Sequence, residues 1–91
     1  MNSQLLVLKK KYRDRTFLIA QILEYAGPFP GEYKTKILMK TEMNHTQIQR
    51  FFKYLEDNGM LRQDHDSKRW FRTTKGESFL DVYNKMKEDL K

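Results

Sequence analysis

Residues 44–59, Asn44-His45-Thr46-Gln47-Ile48-Gln49-Arg50-Phe51-Phe52-Lys53-Tyr54-Leu55-Glu56-Asp57-Asn58-Gly59, carry their own start and stop signals. Asn44 is a strong N-cap, and Gln47 lies three residues on, where its amide can reach back and close a capping box. Asn58-Gly59 is a C-terminal stop, because glycine accepts the left-handed conformation that ends a helix. Between them Ile48, Phe51, Phe52 and Leu55 recur at helical spacing, which predicts a helix of about four turns over 45–58 with one apolar stripe. At about 100° per residue the opposite face is Thr46, Arg50, Lys53 and Asp57, flanked by Gln47 and Gln49.

Working toward the N-terminus, Thr41-Glu42-Met43 reads as a turn, and Lys34 to about Lys40 as a short helix carrying Ile37 and Leu38. Phe29-Pro30-Gly31-Glu32-Tyr33 is a loop with room for one short strand. Gly27-Pro28 ends an earlier helix, Asp14 to Ala26, whose inward residues are Leu18, Ile19, Ile22, Leu23 and Ala26. Residues 1–12, with Leu5-Leu6-Val7-Leu8 running into Lys9-Lys10-Lys11-Tyr12, read as an arm or as an extension of that helix.

Toward the C-terminus, Met60-Leu61-Arg62-Gln63 and Arg69-Trp70-Phe71-Arg72 are strand-like runs separated by the turn formers His65-Asp66-Ser67-Lys68, which predicts a β-hairpin. A last helix, about 74–90, starts at Thr73-Thr74, either of which can cap it, with Glu77 placed to close a box on Thr74. Phe79, Val82, Tyr83, Met86 and Leu90 share a stripe about 100° wide on it.

Helix, short helix, capped helix, hairpin, helix is the order of a winged helix-turn-helix: mainly α, with the hairpin as the wing. At 91 residues the chain holds one core, so residues 13–91 are read as one domain including the last helix. The absence of cysteine removes disulfides, thiolate metal sites and thiol nucleophiles. His45 and His65 are too far apart in sequence for a zinc site to be expected. No Ser-His-acid arrangement, glycine-rich phosphate loop or catalytic carboxylate pair stands out, so an enzyme, a cofactor and a small-molecule substrate are not expected. Leu5 to Leu8 is too short for a signal peptide or a membrane span. A cytoplasmic, chromosome-associated location is the expectation.

Eighteen Lys and Arg against twelve Asp and Glu give a net charge of +6, which favours a polyanionic partner. In this architecture the third helix enters the major groove of double-stranded DNA, with its N-terminal residues at base edges. That makes His45, Thr46, Gln47, Gln49, Arg50 and Lys53 the candidate contacts. Arg50 suits guanine and Gln49 adenine by bidentate pairing. Lys34, Thr35 and Lys36 open the second helix and are placed for phosphate. Lys68, Arg69 and Arg72 give the wing a basic set, with Arg69 and Arg72 on opposite faces by the strand period. Lys9–Lys11 with Arg13 and Arg15 form the densest basic run, read either as an electrostatic arm or as a solvated tail. Trp70 is read as packed on the core rather than as a stacking platform.

The near-3.5-residue spacing in the last helix fits a coiled-coil seam or packing onto the first helix. The expectation is a split use. Its N-terminal half packs intramolecularly, and Phe17, Phe79, Tyr83, Met86 and Leu90 serve a homodimer that offers two recognition helices to a two-fold site.

Tyr12-Arg13-Asp14-Arg15 leading into Ile22-Leu23, Lys34-Thr35-Lys36-Ile37, Asn44 to Ile48 and on to Leu55, Asn58-Gly59-Met60-Leu61, and Thr73-Thr74-Lys75-Gly76 before Phe79-Leu80 occur in a specific order and spacing. Together they resemble the small archaeal winged-helix DNA-binding proteins. That family includes transcription regulators and chromatin proteins that dimerise through a C-terminal helix, and often has an aromatic residue where this chain has His45. The resemblance implies a DNA-binding regulator or architectural protein. A winged helix serving as a protein-interaction adaptor is the alternative, because fold does not fix function. RNA is a third partner class, less suited because the A-form major groove is deep and narrow.

Overall fold

The computed structural model describes residues 13–89. The expected arm (residues 1–12) and Leu90 lie outside them. The chain enters through a π-helical turn, Arg13–Phe17, which runs without a break into α1, Leu18–Ala26. It continues through α2, Lys34–Lys40, α3, His45–Asp57, strands β1, Leu61–Gln63, and β2, Trp70–Arg72, and ends in α4, Thr74–Asp89.

The signals around α3 act as the sequence predicts. The Gln47 N–H donates to Asn44 Oδ1 at 2.8 Å, and the Asn44 N–H donates to Gln47 Oε1 at 3.2 Å, so each residue satisfies a group the helix start would leave open. At the other end Gly59 has φ +72°, its N–H reaches the Glu56 carbonyl, and the Met60 N–H reaches back to Leu55. This is a Schellman cap, with the buried Leu55 and Met60 as its hydrophobic pair. It delivers the chain directly into β1.

β1 and β2 pair antiparallel, with Leu61 opposite Arg72, Arg62 opposite Phe71 and Gln63 opposite Trp70. The short strand expected in the 29–33 loop is one bridge: Glu32 exchanges two backbone hydrogen bonds with Trp70, at 2.7 and 2.9 Å, on the free edge of β2. Gly31 permits that approach, because its φ is +87° and a Cβ there would run into the Trp70 carbonyl.

Ile22, Leu23, Ile37, Ile48, Phe52, Leu55 and Leu61 are the largest fully buried side chains, so α1, α2, α3 and the wing share one core. Trp70 closes it from the wing side, its ring edge-on to Phe52 at 4.9 Å. Met43, expected in a turn, is also buried, and Phe51 is only half-buried beside the core.

Of the two threonines able to cap α4, Thr73 does so as expected: its hydroxyl accepts the Gly76 N–H and donates to the Gly59 carbonyl at 2.6 Å. α4 departs from expectation in two ways. The box between Thr74 and Glu77 does not form, because Glu77 pairs with Arg72. The expected stripe also divides around the helix rather than along it. Gly76, Leu80 and Tyr83, spaced i, i+4, i+7, are the buried line, while Val82 and Met86 stand 65% and 41% exposed and Phe79 lies between. Gly76 lets α4 come close, since a Cβ there would collide with the Met60 carbonyl.

Candidate nucleic-acid interface

Because Ile48, Phe52 and Leu55 anchor α3 to the core, Thr46, Arg50 and Lys53 must point away from it, and all three are exposed. Lys53 makes a solvent-exposed i,i+4 ion pair with Asp57 at 3.4 Å, of the kind that contributes little and exchanges readily. His45 is exposed at the first helical position. Gln47 is held by the capping box through its carbonyl oxygen, which leaves its NH₂ for another acceptor.

The second helix is tied to this face. Lys34 Nζ donates to Gln49 Oε1 at 2.8 Å and lies 5.0 Å from the centre of the Phe52 ring. The expected base-reading Gln49 and the expected phosphate contact Lys34 are therefore joined by one exposed hydrogen bond. Thr35 and Lys36 are exposed on the first turn of α2. At the other flank the Arg15 guanidinium covers the Tyr54 ring at 5.2 Å, which brings one residue of the N-terminal basic run onto α3.

The wing is less basic than its sequence suggests. Arg72, expected among the DNA contacts, is only 15% exposed in its side chain. Its Nε donates to Glu77 at 2.7 Å, and one terminal nitrogen donates to the carbonyls of Leu23 and Glu24 at 3.0 and 3.4 Å. A cation on the last carbonyls of α1 meets the negative end of the helix dipole and gives Leu23, whose carbonyl also accepts the Gly27 N–H, a second donor, so Arg72 serves the fold. Arg69 folds over the Tyr33 ring at 5.0 Å. Lys68, at the tip, is exposed and takes a left-handed φ of +69°.

The tip itself carries Asp64, His65 and Asp66. Asp64 accepts the Ser67 N–H at 2.9 Å, and this bond holds its carboxyl below the usual aspartate range. Glu32 is likewise held low, first by the Tyr33 N–H and then by Lys36, Lys40 and Arg69.

Of the residues expected at a dimer contact, Tyr83 is buried in the domain's own core and Phe17 packs against that core. Both line a small cavity of about 110 Å³ between α1 and α4. Met86 is exposed, Phe79 is half-buried, and Leu90 lies outside the described residues. Sequence reasoning missed Leu80, whose spacing from Gly76 and Tyr83 was the available signal, and Tyr33, which no local pattern marks. Among the described residues no group of three or more His, Asp or Glu is placed to hold a metal, and no helix is long and apolar enough to cross a membrane.

A family model for the winged helix-turn-helix matches residues 12–91, and the chain belongs to that family. No curated protein matches the chain.

Proposed function

We propose that this protein binds double-stranded DNA, with α3 in the major groove and the Lys34–Lys36 turn on the phosphate backbone, as a transcription regulator or a chromatin-type architectural protein. The observation that carries the reading is the exposed Thr46, Arg50 and Lys53 face of α3, directly opposite the buried Ile48, Phe52 and Leu55. It is polar, holds two cations, and is flanked by a Gln49 side chain hydrogen-bonded to Lys34. Arg50, with an open guanidinium, is the base-edge candidate; Lys53 and Lys36 neutralise phosphate. His45, Thr46 and Gln47 present donors and acceptors at the entry of the helix. Lys68 is the cation left at the wing tip.

Affinity for random-sequence duplex, measured across salt concentrations, tests this reading. It should weaken steeply as salt rises, because each phosphate contact releases a counterion, with a log–log slope of about −0.9 per contact. Salt-insensitive or absent binding would favour the adaptor reading. Selection from a randomised duplex pool then separates the two roles: a sharp motif marks a regulator, a flat profile an architectural protein.

The same reading includes a homodimer. Val82 and Met86, exposed on one line of α4 with Phe79 beside them, support it. Adjacent positions i, i+3, i+7 are those an antiparallel or parallel helix pair covers.

A further inference from the structure

The outer face of the wing sheet carries a second surface that α3 does not use. Trp70 points into the core, so its neighbours Arg69 and Phe71 point outward by the strand period. Phe71 meets Phe29 edge-on, centroids 5.3 Å apart, and Arg69 lies over Tyr33. Arg62, opposite Phe71 in the ladder, is exposed on the same face. Phe29 is 65% and Tyr33 41% exposed.

Arg69 is the unexplained member of this group. Its Nε is buried without a hydrogen-bond partner, and among the described residues no carboxylate makes a close ion pair with it, although Glu32 is near enough to feel its charge. Native structures rarely leave such donors open; Nε itself is covered, so the part of this half-buried guanidinium that can meet an anion is its terminal nitrogens. The carboxylates that bracket this face in sequence, Glu32 and Asp64, each accept a backbone N–H. Exposed rings interleaved with unpaired arginines suit a partner that has both flat apolar faces and negative charge, which describes unstacked nucleotides better than a protein surface.

We propose that this face binds single-stranded nucleic acid, with bases stacking on Phe29 and on the Tyr33–Arg69 pair and phosphates taken by Arg69 and Arg62. The duplex DNA of the preceding section offers no base faces to such a platform, so the two sites make separate demands and are tested separately.

Fluorescence anisotropy of the full chain with a labelled oligo-dT of about 12 nucleotides, within the usual site sizes, and with an oligo-U of the same length, tests the proposal. Phe29→Ala and Tyr33→Ala should each weaken binding roughly tenfold, the size expected for losing one stacked base. Arg50→Ala should leave it unchanged. Tighter oligo-U than oligo-dT binding would identify RNA as the natural source, and the reverse DNA. No binding of either oligonucleotide by the unaltered chain, or unaltered affinity in the Phe29→Ala variant, overturns the proposal. Phe29 is exposed enough that its variant folds, so it decides the matter if Tyr33→Ala proves unfolded by circular dichroism.

Discussion

Arg72 and Arg69 are three residues apart, equally charged, and put to different uses. Arg72 closes the end of α1 through carbonyls 49 and 48 positions away in the chain. No local pattern announces such partners, which is why sequence alone placed it with the DNA contacts. Arg72→Met should therefore destabilise the domain by about 1.5–3 kcal/mol, the range for hydrogen bonds to a charged group, and leave duplex affinity unchanged once folding is accounted for; urea unfolding and anisotropy check the two halves. Gly76→Ala should cost about 1–3 kcal/mol through overpacking against the Met60 carbonyl, although alanine raises helix propensity, and the fall in Tm decides which effect wins. Asp64 gives a pH signature. Its carboxyl is depressed, so its contribution to the wing turn is present above the unfolded-state value and is lost as pH falls through the lower folded-state value. The Ser67 amide resonance should report a transition below the ordinary aspartate range, and Asp64→Asn should abolish it.

At the scale of elements, legibility followed how local the determinants are. The capping box, the Schellman turn and the wing hairpin are each set by residues within a few positions of one another, and each formed where expected. α4 was harder, since two apolar lines run side by side on it and periodicity cannot say which one meets the core. The approach at Gly76 decides it, and that depends on where Met60 and Leu23 lie in space. The outer line of α4 then carries the dimer proposal. Met86→Glu, together with Val82→Glu, should shift sedimentation equilibrium from dimer to monomer without changing the circular dichroism spectrum, because both side chains are exposed in the single chain. An unchanged mass in the double variant would move the dimer contact elsewhere.

Across the whole molecule the net charge is unevenly placed. Lys9, Lys10, Lys11 and Lys91 lie outside residues 13–89, while every acidic residue lies within them, so residues 13–89 are close to neutral and owe their character to a local arrangement. Replacing Lys9–Lys11 by alanine should flatten the salt dependence of duplex binding by up to about three contacts' worth of slope while sparing sequence preference. What the packing supplies is orientation: the core fixes which side of α3 is free, and Lys34 ties α2 to that helix through Gln49. The measurement that bears most directly on this account is duplex DNA affinity of the Arg50→Ala/Lys53→Ala double variant at fixed, near-physiological salt. Both side chains are exposed, so the variant should keep its Tm and bind at least roughly tenfold more weakly, as expected for losing one base-edge contact; unaltered affinity in a folded variant would contradict the placement of α3 in the groove.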